Sequence, residues 1–157
     1  MKINWTRVIL GGLFAGLIVN IFELLVDGLL LRSEWDAGLK ALNKTPGGIG
    51  PAAIFWLWGF LIGIFALWLY ANLRPRFGPG IRTAVIAGVA VWIPAGLLAM
   101  MAPIAMHLFR YRLMAIDIVL TLVEIVAGTV AGAWLYKEAE APAGASTAAE
   151  PGGRQAA

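Results

Sequence analysis

Four long apolar runs divide the chain, at about 8–31, 51–70, 83–106 and 113–136, with short polar connections between them. A helix needs roughly 20 residues to cross the hydrocarbon core of a bilayer, and each run supplies that length. The simplest architecture is an all-α, integral membrane four-helix bundle of up-down-up-down topology. The first run follows Lys2 and Arg7 and so has the outline of a signal peptide. It is too long for that role, it contains Asn20, Glu23 and Asp27, and no small-residue cleavage site follows. It reads as an uncleaved helix.

Polar and small positions inside the runs make a second pattern. Gly12, Gly16, Asn20, Glu23 and Asp27 fall at spacings of 4, 4, 3 and 4. Read backwards from the other end, Gly132, Gly128, Glu124, Thr121 and Asp117 fall at the same spacings. Each set lies on one stripe of a helix. If the first and fourth helices cross in opposite directions, glycines meet glycines and acids meet polar groups at matching depths. Gly59 with Gly63 and Ala84 with Gly88 are further small-x-x-x-small pairs, the spacing that lets helices approach closely in lipid.

Depth ranks the acids. Asn20 and Glu124 sit near the middle of their runs. At about 1.5 Å per residue, Glu23 lies about 4.5 Å and Asp27 about 10 Å outward of Asn20, and Asp117 about 10 Å outward of Glu124. Asp27 and Asp117 are therefore expected near an interface, hydrated or paired with Arg32, Arg110 or Arg112. Glu23 and Glu124 are the informative pair, because an ionised carboxylate at mid-membrane costs at least about 2.5–3.5 kcal/mol.

The connections differ in kind. From Arg32 to Gly50, Ser33 with Asp36 forms a weak version of a capping box, and Trp35, Leu39 and Leu42 recur at helical spacing. A short amphipathic helix at the membrane surface is expected, ended by Thr45-Pro46-Gly47-Gly48; a lid over a polar cavity is the sharper alternative. Asn72 to Arg82 holds Arg74, Arg76 and Arg82 without an acid and reads as a tight basic turn. His107 to Arg112 is shorter. Pro94 and Pro103 should kink the third helix. Residues 137–157 are Ala-, Glu-, Gly- and Pro-rich and are expected to be disordered.

Composition agrees with the membrane reading. Of 157 residues, 61% are hydrophobic and 13% charged, and the mean hydropathy is +0.82. A soluble domain averages roughly 45–50% apolar and about 25% charged. The net charge of +3 comes from scattered Lys and Arg without a basic face, which argues for topology and against nucleic acid. Seven of these (Lys2, Arg7, Arg74, Arg76, Arg82, Lys137, Arg154) fall on one side and five (Arg32, Lys40, Lys44, Arg110, Arg112) on the other. That bias places both termini in the cytoplasm, with the bundle in the plasma (inner) membrane. Trp5, Trp68, Tyr70, Trp134 and Tyr136 form one expected aromatic belt, and Trp35, Trp56 and Tyr111 the other.

Chemistry is sparse. There is no cysteine and one histidine, His107. No nucleophile elbow, zinc motif or phosphate-cradling glycine loop is present, so no catalytic role, cofactor or metal is expected. Met100, Met101 and Met106 are too irregular for a copper site and read as core packing. The sequence predicts a small multi-pass membrane protein, a structural or accessory subunit with a carboxylate cluster (Asn20, Glu23, Asp27, Asp117, Thr121, Glu124) between helices one and four. The alternative is a proton- or cation-conducting protein working as an oligomer. The expected partners are the lipid bilayer and either copies of the chain or a larger membrane complex.

Overall fold

In lipid no water satisfies a bare backbone, so an apolar run closes its hydrogen bonds within itself as a helix. The computed structural model of the chain follows that rule and describes residues 3–45 and 47–136. The expectations for the 137–157 tail, and for Lys2 and Pro46, lie outside the described residues. Helix α1 spans Trp5–Leu25 and is capped by Asn4, whose side chain accepts from the Arg7 amide at 3.2 Å. It widens into a π-helical turn, Val26–Leu30, closed by the Leu31 amide on the Val26 carbonyl. Then follow α2 (Arg32–Ala41), α3 (Ile49–Phe77), α4 (Ile81–Trp92), a second π turn (Ile93–Leu98), α5 (Met101–Ala105) and α6 (Tyr111–Leu135).

Four stretches are long and apolar enough to cross a membrane: Trp5–Leu30, Ile49–Phe77, Ile81–Ala105 and Tyr111–Leu135. The protein is an all-α membrane bundle. Helices α3 and α6 both pack against α1 and against α4, and they touch each other across the centre. The interior is built from small and branched side chains, among them Val8, Ala15, Ala66, Leu67, Ala84, Ala87, Val91 and Ile125. Large apolar residues such as Leu10, Leu17, Phe55 and Val119 face outward, as they must where the solvent is lipid.

Several local expectations are corrected. The basic turn at 72–82 is mostly helix: α3 runs on through Pro75 to Phe77. A proline this close to the end removes one hydrogen bond while the helix has only two residues left to form. Arg74 and Arg76 fall in the last turn, where cations favour the helix dipole. The reversal is left to Gly78 (φ 81°, ψ 167°) and Gly80 (φ 129°, ψ −178°), in a backbone region nearly reserved for glycine. Tyr70 and Tyr136 are not belt residues. Both are buried, edge to face at 5.9 Å, with the Arg74 guanidinium over both rings.

The capping box at Ser33 and Asp36 does not form, because α2 starts earlier, directly from the π turn, with Leu31 at its N-cap. Asp36 lies instead 3.9 Å from Arg32. Pro94 sits in the second π turn, whose wider geometry absorbs its missing amide, and the helix breaks again at Ala99–Met100 before α5. That break turns Met101 and Met106 outward, so they are not core residues; Met114 is.

Candidate functional site

The stripe of α1 does not meet its mirror on α6. A Cβ on Gly12 would stand 2.5 Å from the Ile64 Cα, and one on Gly16 would stand 2.6 Å from the Phe60 Cα. Both glycines thus face α3, where Gly63 abuts the Gly12 carbonyl and the Gly16 amide. The residues that meet α6 are Gly11 and Ala15. A Cβ on Gly132 would stand 2.5 Å from the Gly11 carbonyl oxygen, and one on Gly128 would stand 2.8 Å from that of Ala15. Helical spacing groups residues on one face; it does not say which neighbour that face meets. Two stripes compete for α1, and the Gly59/Gly63 pair on α3 wins the glycine face.

Asn20 follows the glycines into the α1–α3 seam. It is buried, and its Nδ2 donates to the Trp56 carbonyl at 3.1 Å. Gly59 leaves the space its side-chain amide occupies. Asn20 therefore spends its donor on backbone of α3, not on the carboxylates.

The four acids do converge. Glu23 leaves the last turns of α1, half-buried, and Asp27 leaves the π turn, also half-buried. Asp117 and Glu124 come from α6 and are buried, at 7% and 3% exposure. The charges of all four lie within reach of one another. Neither Asp27 nor Asp117 forms the expected ion pair with Arg32, Arg110 or Arg112 among the described residues. Those arginines sit at helix ends and in connections, where their heads stay in water. Asp27 Oδ1 instead accepts from the Trp35 indole Nε1 at 2.7 Å, at the short end of N–H···O distances.

Glu124 is the outlier. Among the described residues its Oε1 is buried without a hydrogen-bond partner. Buried polar atoms are nearly always satisfied, and an unsatisfied one in a native fold marks strain, chemistry or a bound water. Thr121, one turn away and buried, does not relieve it in this structure; its methyl lies against the second π turn, 3.1 Å from where a Cβ on Gly96 would stand. Nearby, Trp92 Nε1 donates to the Ile118 carbonyl at 3.0 Å, tying that π turn to α6 between Asp117 and Thr121. Among the described residues no three His, Asp or Glu side chains are disposed to hold a metal ion.

Both π turns thus flank the acids, one carrying Asp27 and the other packed against Thr121. Such turns are rare and frequently sit at functional positions, because the wider turn re-aims side chains. The sequence reading missed Trp35 and Trp92 as parts of this site. A half-buried indole normally finds an acceptor for its N–H, but Asp27 ends the first span eight residues before Trp35, and regular helical spacing does not bring the two together. The π turns themselves leave no trace in hydrophobic spacing. Compared with protein-family models, curated proteins and solved structures, the chain matches none.

Proposed function

We propose that this membrane protein passes protons through the carboxylate cluster, with Asp27 and Asp117 at the mouth, Glu23 beside them and Glu124 as the inner group. The observation that carries the reading is the buried Glu124 carboxyl with its unpartnered Oε1. A carboxyl used only as glue between α1 and α6 would hydrogen-bond to Asn20 or Thr121. Asn20 is engaged by Trp56 and Thr121 turns its methyl to the second π turn. A carboxyl that exchanges protons needs a free oxygen, reached directly or through one water.

Beyond Glu124 the bundle is closed by Val8, Leu67, Ala84 and Ala87, so one chain holds part of a path. The rest lies between copies or against a partner in a larger membrane complex, which makes the chain an accessory subunit or an oligomer. The bias of positive charges supports a reading in which both termini are cytoplasmic and α2 lies on the opposite face of the plasma (inner) membrane.

The test is proton flux in liposomes at several protein densities, with melting in detergent alongside, for wild type, Glu124→Gln and Glu23→Gln/Glu124→Gln. Loss of flux in both variants with unchanged melting is expected. Equal flux in all three refutes the reading. A silent wild type at every density, with variants that melt earlier, assigns the acids to a purely structural subunit.

A further inference from the structure

The connection α2 follows the π turn that carries Asp27, and among the described residues the Trp35 side chain ties it to that end of the bundle. Trp35 donates to Asp27 Oδ1 at 2.7 Å and packs edge-on against Phe109, ring centroids 5.0 Å apart, in the connection before α6. One turn on, a Cβ at Gly38 would touch the Phe109 ring, 2.5 Å from its Cδ1. No residue of α2 is buried. Between α2 and the 107–113 segment lies a half-open cavity of about 570 Å³, lined by Ser33, Glu34, Gly38, His107, Arg110 and Tyr111. The helix therefore rests on one indole and one aromatic contact, with open space beside it. It is bounded by the π turn before it and by Asn43 at φ 55° after it, where the Lys44 amide closes the helix on the Leu39 carbonyl at 2.9 Å.

We infer that α2 is a lid over the carboxylate mouth and that Trp35 is its latch. Closed, the indole occupies one oxygen of Asp27 and holds α2 over the acids. Open, that oxygen and Asp117 become accessible to water through the cavity. Trp35 is a positioning residue: it acts on the pathway by fixing Asp27 and α2, and it takes no proton itself. The inference rests on the proton reading only for what the lid controls; the lid itself is a matter of access.

Access is measured without flux. A water-soluble carbodiimide, added to the α2 face of oriented proteoliposomes, modifies reachable carboxyls, and mass spectrometry counts adducts at Asp27, Asp117 and Glu124. In Trp35→Ala, adducts at Asp27 and Asp117 should form up to about tenfold faster, the scale on which losing one hydrogen bond shifts an open–closed equilibrium. Trp35→Phe keeps a ring for Phe109 and should fall between. Gly38→Cys/Phe109→Cys supplies a lock in a chain with no native cysteine: oxidised, it should label more slowly than the same protein reduced.

Labelling that ignores both Trp35→Ala and the lock overturns the lid. If the indole variant folds poorly, the oxidised-against-reduced comparison decides alone, since both arms are one protein. Labelling that follows the lid in a protein without proton flux keeps the lid and removes the proton reading. Flux unaffected by a lock that forms, with unchanged labelling, does the reverse.

Discussion

Gly63→Ala tests how the bundle is held together. At Gly63 an added Cβ would meet the Gly16 Cα at 2.7 Å, and the Gly12 carbonyl and Gly16 amide closer still. Ordinary contact begins at 3.4 Å, so the Gly16 Cα alone is short by 0.7 Å. Every one of those atoms is backbone, and no rotamer change relieves them. The seam must open by about that amount along its length. A gap of roughly 0.5–1 Å forfeits a quarter to a half of each dispersion well, and overpacking of this kind costs about 1–3 kcal/mol. The opening also stretches the Asn20–Trp56 bond one turn along the seam. For a chain of this size that corresponds to a fall in melting temperature of about 2–12 °C. The assay is thermal unfolding in a mild detergent, with Gly50→Ala as the control, since nothing lies within 4 Å of Gly50. The control should be neutral or slightly stabilising, alanine being the better helix former. Gly63→Ala melting with the control would show that α1 and α3 are not in backbone contact there, and the placement of Gly12, Gly16 and Asn20 would fall with it.

The α1–α6 seam is checked by crosslinking. A Cβ on Gly132 would stand 3.0 Å from the Ala15 Cβ, near the 3.5–4.5 Å of a disulfide, so Ala15→Cys/Gly132→Cys should oxidise in the membrane while Gly16→Cys/Gly128→Cys should not. The reverse result would restore the mirrored pairing of the two stripes. Orientation is checked by a C-terminal reporter active on one side of the membrane only; cytoplasmic activity is expected, and signal from outside would reverse the placement of α2 and of the carboxylate mouth.

The four helices were legible because each apolar run supplies the roughly 20 residues the bilayer needs and the polar residues between runs are few. The acids were legible because a carboxylate among Leu, Ile and Val is conspicuous whatever surrounds it. Their surroundings were not. Gly12, Gly16 and Asn20 share a stripe with Glu23 and Asp27, yet the upper three face α3 while the acids gather with α6. The end of α3 was hidden by Pro75, which reads as a breaker in sequence and is tolerated so near a helix terminus. The Trp35–Asp27 bond was hidden because it depends on a π turn, and side-chain spacing is read on the assumption of a uniform helix.

That π turn has a consequence for how the chain can change. A wider turn is what remains when one residue is inserted into an α-helix and the hydrogen bonds, instead of passing the shift along, absorb it locally. Elsewhere in α1 a one-residue deletion would rotate everything after it by about 100°, turning its apolar and polar faces out of place. Within Val26–Leu30 the same deletion has slack to consume. This is the point in the first span where length variation between related chains would be tolerated by the bundle, and it is also where Asp27 stands. Loss of one residue there would re-aim Asp27 relative to the other acids while the rest of the membrane domain kept its register.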